Sequence, residues 1–443
     1  MATLAGSAAI LILAALLGGA LGSLAKAACR AGAWNVGVEQ YQAHCYTDIY
    51  PLYFTEGLAA GLIPYLDHHV EYPVVMGAVM EGAARTVSHV ADPGTRGREF
   101  YDVTVAVLAA CLVGGVLATA YCAGRSRRWT ALLVAFSPAL ILAAYINWDL
   151  LAMALTMAAL ASWAARRPVL AGALLGAAIA TKFYPVICLL PLFALCLRAG
   201  RLAEFWRTLA ATAMAWLVLN VPVVLAAPAG WATFYRFNAS RGADWGSIWY
   251  FFEVEHWPVL GGLSIQAINL ISAALFVIAC GLVAALALMA PRRPRLPQLI
   301  FLATAAFLLT NKVWSPQYVV WLVPLVVLAR PRLGGYVIWQ IAEVGYFYAI
   351  WAYLIYITNS YNPAAPPAAG GIGPGLYFAA LLARFAAVLL LCALVVRDIL
   401  RPDRDAIRAG GDADDPAGGV LDGSADRLVL SWAGRRRTGD AVA

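Results

Sequence analysis

Apolar windows recur along the whole chain, most of them closed by a short polar or arginine-bearing stretch, and most are long enough to cross about 30 Å of hydrocarbon. They predict helices near residues 3–25, 102–123, 130–147, 150–165, 169–182, 184–197, 208–227, 264–290, 297–311, 317–329, 334–357 and 376–396. Between them, Arg125/Arg127/Arg128, Arg166/Arg167, Arg198/Arg201/Arg207, Arg292/Arg293/Arg295, Arg330/Arg332 and Arg397/Arg401/Arg404 fall in every second connection. That alternation is the positive-inside pattern of about twelve spans with both termini cytoplasmic. Adding or dropping one span breaks it. Residues 150–165, 169–182 and 317–329 are short for a crossing, so the count rests on the charges more than on any hydropathy peak.

The predicted outer face then receives residues 28–100, the Asn147-Trp148-Asp149 turn, the turn from Thr181 to Pro185, residues 228–263, the turn from Asn311 to Gln317 and residues 358–375. All five histidines lie there, while the inner connections hold arginine and little else. Any chemistry faces outward.

Composition agrees with the pattern. The chain has 443 residues, 63% of them hydrophobic and 12% charged, with a mean hydropathy of +0.75, against about 25% charged in soluble domains. The fold class is an all-α polytopic membrane protein. A net charge of +7 in such a chain sets topology and is no sign of nucleic-acid binding. The first span lacks the basic n-region of a secretory signal. Six of the eight cysteines sit in or at the ends of spans, where they pack. Cys29 and Cys45 share the outer loop, where an oxidising compartment permits a disulfide. Residues 400–443, rich in Gly, Asp, Arg and Ala, read as a disordered cytoplasmic tail behind a membrane domain of residues 1–399.

A few polar groups stand out against this background. Glu343 lies mid-span, where an ionisable side chain costs about 2.5–3.5 kcal/mol to insert. It shares a helix face with Gln340, Tyr346 and Phe347, and is either a substrate contact or a glutamate bonded between helices. Asp149 either caps the following helix or orients substrate, and the two roles are compatible. Lys182 and Lys312 each sit where a span meets the outer face, against the usual charge bias. They could hold a phosphate as point charges or snorkel to headgroups. Residues 228–263 mix aromatics with Arg236, Arg241, Asp244, Glu253 and Glu255, a mixture that suits sugar recognition and an interfacial belt equally.

The first outer loop is too long and too polar for its setting unless it has work to do. Within it, Asp48 precedes Ile49-Tyr50-Pro51, after which Leu52, Phe54, Leu58 and Leu62 can line the apolar side of a short interfacial helix. Asp67 and Glu71 follow a Pro-Tyr turn, and an apolar helix is expected at about 74–87. Carboxylates beside cationic groups at a membrane surface suit sugar transfer from a lipid phosphate. A carboxylate takes the proton of the attacking hydroxyl, and cations stabilise the departing phosphate. That reaction needs no metal or other cofactor, and the adjacent pair His68-His69 lacks the i, i+4 spacing of a helical metal site.

Three segments carry a resemblance. They are Asp48-Ile49-Tyr50 with Glu71-Tyr72-Pro73; Asn147-Trp148-Asp149-Leu150-Leu151 through Arg166-Arg167-Pro168 to Ala180-Thr181-Lys182-Phe183-Tyr184-Pro185; and Asn311-Lys312-Val313-Trp314-Ser315-Pro316-Gln317-Tyr318. Together they resemble the actinobacterial membrane proteins of glycosyltransferase family 87, in the C-type superfamily of polyprenyl-phosphate-sugar-dependent enzymes. The resemblance implies a many-helix C-type fold with interfacial helices in the first outer loop. It also implies a polyprenyl-phosphate sugar donor, inversion at the anomeric carbon, and a general base that matches Asp48. The sugar is mannose or another hexose or pentose, because Ile-Tyr-Pro after Asp48 departs from the better-understood mannosyltransferases. The acceptor is a lipid or a cell-envelope glycan. Asp149, Lys182, Lys312, Glu71, Tyr50, Gln317, Glu343 and Arg236 are the candidate substrate-binding residues. Two other readings compete: a twelve-helix secondary transporter, which would show internal repeats and mid-span charges, and a non-catalytic assembly protein.

Overall fold

The computed structural model describes residues 2–35, 37–88, 92–361, 367–410 and 414–430, and every named element among them is a helix. Six helices are long and apolar enough to cross a membrane: Gly6–Ala25, Pro93–Ala123, Leu202–Ala226, Ile265–Met289, Leu333–Tyr361 and Pro374–Leu400. Five further expected spans fall on shorter apolar helices, Asp149–Ala164, Pro168–Thr181, Tyr184–Arg198, Leu296–Thr310 and Pro316–Ala329. The last of these is interior. Every residue of Val319–Ala329 is buried, so the length of this helix is set by its protein neighbours.

Residues 130–147 differ from the expected single span. They form the short pieces Arg128–Ala131, Leu132–Ala135 and Pro138–Ala143. Pro138 cannot donate to the preceding turn, and the break is satisfied by side chains. The Leu140 N–H donates to the Ser137 hydroxyl at 3.2 Å, while Gln340 accepts from that hydroxyl at 2.9 Å and from the Ala139 N–H at 3.1 Å. Elsewhere small residues permit close approach. A Cβ at Gly172 or Gly176 would lie 2.2 Å from the Thr208 carbonyl oxygen or 2.4 Å from that of Thr212, so Pro168–Thr181 lies directly on Leu202–Ala226.

The first connection folds into short helices, among them Glu39–Gln42, Ile49–Thr55 and Val74–Ala84. A disulfide joins Cys29 to Cys45.

The expected disordered tail requires correction. Residues 401–410 and 414–430 pack against the arginine-bearing connections. Arg295 meets Asp405 at 2.7 Å, Arg198 meets Asp426 at 2.8 Å, and Arg293 meets Asp426 at 3.2 Å. Trp163 donates from Nε1 to the Gly418 carbonyl at 3.0 Å, and Leu421 and Ile407 are buried. The aspartates that made the tail look soluble are partners of arginines distant in sequence. Residues 411–413 and 431–443 of that segment lie outside the described residues, as do His89 and residues 362–366 of the expected outer connections.

Candidate active site

Stretches far apart in sequence wall one cavity of about 440 Å³. The first connection supplies Tyr46, Asp48 and Glu71, and the turn before Asp149 supplies Asn147. Lys182 enters from the end of Pro168–Thr181, Arg241 and Asp244 from the loop after helix Pro228–Ser240, and Gln317 and Tyr318 from the turn before Val319–Ala329.

Asp48 sits immediately before helix Ile49–Thr55. Its N–H donates to the Ile146 carbonyl at 2.6 Å, and the Thr47 hydroxyl reaches the carbonyls of Tyr145 and Ile146 at 2.7 and 3.1 Å. The carboxylate accepts from the Tyr46 hydroxyl at 2.6 Å. Behind it, the buried Lys26 donates to the Tyr46 carbonyl at 2.8 Å. Burial pushes the Asp48 carboxyl up to about 6; the Tyr46 hydroxyl and the Lys182 charge hold it down, while Glu71 and Asp149 add to the rise. The Glu71 carboxyl is also raised, by burial, with Arg241 and Lys182 opposing. Asp48 is therefore mostly ionised at neutral pH and still basic enough to accept a proton.

Lys182 meets Asp149 at 2.9 Å. Its ammonium lies 5.5, 5.3 and 5.8 Å from the ring centroids of Tyr72, Tyr318 and Trp321, within cation–π range of all three. Asp149 is fixed in turn, its N–H donating to the Asn147 side chain at 2.9 Å. Lys182 also borders a second cavity of about 280 Å³ with mostly aromatic walls, including Phe183, Tyr184, Phe307 and Trp321. Lys182, Phe234, Asn238 and Tyr318 line both spaces. An acid-bearing cavity and an aromatic one thus meet at a single lysine.

Residues 98–316 match the family model of glycosyltransferase family 87. The chain belongs to this family. No curated protein matches it. Membership makes it a membrane glycosyltransferase and displaces the carrier and assembly readings. The matched region holds Asp149, Lys182, Arg241 and Lys312, whereas Asp48 and Glu71 precede it and Gln317 follows it.

Against the expectations for a family 87 site, the structure brings together Asp48, Glu71, Asp149, Lys182 and Gln317. Four other candidates sit elsewhere or do something else. Tyr50 is buried against Trp34, ring centroids 4.5 Å apart, away from the cavity. Arg236 is exposed on the far face of helix Pro228–Ser240. Glu343 pairs with Arg384 at 2.9 Å, both side chains at most 2% exposed, and accepts from Trp339 at 2.9 Å. Arg384 in turn donates to the Trp314 carbonyl at 3.0 Å and stacks on the Trp314 and Tyr346 rings. Glu343 is therefore a bonded interhelical glutamate that supports the turn behind the cavity.

Lys312 borders the aromatic cavity, but its ammonium donates to the carbonyls of Arg241 at 2.6 Å and Ala239 at 3.3 Å. Its own carbonyl accepts from the Asp244 N–H at 2.8 Å. It staples the Arg241–Asp244 loop in place, where a phosphate ligand had been expected.

Arg241, Asp244 and Tyr46 were not singled out as site residues. A signal for Arg241 existed. Phe234, Phe237, Asn238 and Arg241 follow i, i+3, i+4, i+7 and fall on the cavity side, while Arg236 is out of phase. Asp244 lies 3.6 Å from Arg241 and accepts from the Ser315 hydroxyl at 3.1 Å, contacts that no local pattern encodes.

Proposed function

We propose that this family 87 protein moves a sugar, mannose or another hexose or pentose, from a polyprenyl-phosphate donor to a lipid or cell-envelope glycan acceptor on the extracytoplasmic face. Asp48 is the general base. The acceptor oxygen forms a bond to the anomeric carbon from the side opposite the leaving group, its proton passes to Asp48, and the anomeric carbon–phosphate oxygen bond breaks with its electron pair leaving on the phosphate. Lys182 and Arg241 face that phosphate, and the aromatic cavity takes the first apolar part of the lipid. Lipid and sugar then meet at Lys182.

The observation that carries the reading is the shared cavity of Asp48 and Lys182, with the aromatic space opening from the lysine. The Cys29–Cys45 disulfide supports the sidedness, because such bonds persist in oxidising compartments. A general base contributes about 10²–10⁴-fold to rate. Replacing Asp48 with Asn should therefore abolish measurable transfer from a radiolabelled polyprenyl-phosphate sugar while the purified protein stays folded. Full retained transfer removes Asp48 as base. Glycan and lipid analysis of a deletion strain would name the acceptor.

A further inference from the structure

We propose that Tyr46 is a positioning residue for sugar transfer, its phenol holding one oxygen of Asp48 so that the other is presented to the acceptor hydroxyl. This rests on the reading of Asp48 as base. The geometry behind it is unusually constrained for a side chain two residues away in sequence. The Tyr46 hydroxyl donates to Asp48 Oδ1 at 2.6 Å, and both residues line the cavity. Thr47 between them is locked to two carbonyls, so neither side chain can swing by backbone rotation.

Tyr46 is held from three further directions. Its ring lies 4.8 Å from that of Trp351 and 5.9 Å from that of Tyr41. Its carbonyl accepts from Lys26, which projects from the end of the first helix. Its neighbour Cys45 is bonded to Cys29, three residues beyond Lys26. Lysine and disulfide together clip the segment carrying Asp48 to the base of that helix.

A carboxylate has two oxygens, and occupying one with a fixed donor leaves the other free to accept the transferred proton. The Asp48 charge and burial raise the Tyr46 phenol well above its ordinary range, so it remains a donor at any working pH. The charged and titratable groups around Asp48 are Lys182 and Glu71 on the cavity wall, Asp149 paired with Lys182, Lys26 behind, and the phenols of Tyr41, Tyr46 and Tyr72. Among the described residues, the Tyr46 hydroxyl is the side-chain group hydrogen-bonded to the carboxylate.

The test is Tyr46→Phe in the full-length, detergent-purified protein, assayed across pH with a radiolabelled polyprenyl-phosphate sugar. Loss of orientation should lower kcat by roughly 10- to 100-fold with donor KM little changed. The acid-side midpoint of kcat/KM should move to higher pH, because the lost donor stabilised the ionised carboxylate. Incorporating 3-fluorotyrosine at position 46, a stronger donor of nearly the same shape, should move the midpoint to lower pH. A fall in kcat with an unmoved midpoint in both variants overturns the positioning role and marks Tyr46 as packing only. Asp48→Asn measured alongside separates the two ideas. An inactive Asp48→Asn with an unmoved Tyr46→Phe midpoint leaves the base standing without its positioner, whereas an active Asp48→Asn removes the base and this inference with it.

Discussion

At one end of the bundle Arg295 meets Asp405 with both side chains 2% exposed, Arg198 meets Asp426, and Arg330 meets Asp398 at 3.1 Å. At the other, Asp48, Glu71, Asp244, Arg241 and Lys182 border a common cavity. Both ends hold buried or half-buried charge. They differ in what the charges face. Arg295 also donates to the carbonyls of Leu328 and Ala329 at 2.8 and 2.7 Å, so its bonding capacity is spent inside the protein. Asp48 has one fixed donor and an open side. Closed pairs offset their desolvation cost by mutual bonding, whereas groups left facing a cavity can bind a ligand or exchange a proton. The comparison predicts that substitutions at the first end change stability and those at the second change rate.

The sharpest contrast is between Asp48→Asn and Arg295→Met. The first should cost about a thousandfold in transfer with little change in thermal melting. The second strands Asp405 in the interior and should cost about 3–5 kcal/mol of stability, while activity per folded molecule is unchanged. Replacing both Arg295 and Asp405 with apolar residues should return much of the loss. Melting curves and rates measured on the same preparations decide this. A slow but stable Arg295→Met would dissolve the distinction between the two ends.

The next effect is on pH. If Asp48 is the base it works ionised, and burial pushes its carboxyl up to about 6. Below that value it is protonated, so kcat/KM should fall about tenfold per pH unit as pH drops and level off above it. A profile flat down to pH 5 would remove Asp48 from the rate law.

Lys182 and Lys312 looked alike in sequence and the structure separates them. Lys182→Met should raise donor KM about tenfold, the scale of one lost hydrogen bond to a charged group. Because it also leaves Asp149 without its 2.9 Å partner, Lys182→Met/Asp149→Asn is the cleaner comparison. Lys312→Met should leave donor KM within about twofold and lower the melting temperature, since it unpins the Ala239 and Arg241 carbonyls.

That pair shows where sequence reading stops. A lysine at the end of an apolar helix is conspicuous from composition alone, and so is an aspartate in an over-long loop. Which groups a lysine faces depends on helices packed from elsewhere. Glu343 was visible as a costly group, but Arg384, which satisfies it, lies 41 residues on. The long helices were legible from hydropathy. The break at Ser137-Pro138 was hidden by apolar neighbours, although the proline itself announced it. The closing segment misled for the opposite reason. Its Gly and Asp content fits disorder, yet Asp405, Asp414 and Asp426 bond to arginines in remote connections.

The smallest predicted effect tests the orientation of helix Pro228–Ser240. Arg241 follows its last turn, lines the cavity and lies 5.2 Å over the Phe237 ring. Arg236 is exposed and borders neither cavity. If Arg241 faces the donor phosphate, Arg241→Ala should raise donor KM several-fold, up to about tenfold, and Arg236→Ala should change it less than about twofold, as isolated surface substitutions do. The two arginines are five positions apart, close enough that a general effect of positive charge on an anionic lipid substrate would touch both alike. A large response at Arg236 with none at Arg241 would mean that the helix presents its other face to the substrate. The separation of closed and open charges would then need redrawing at this wall of the cavity.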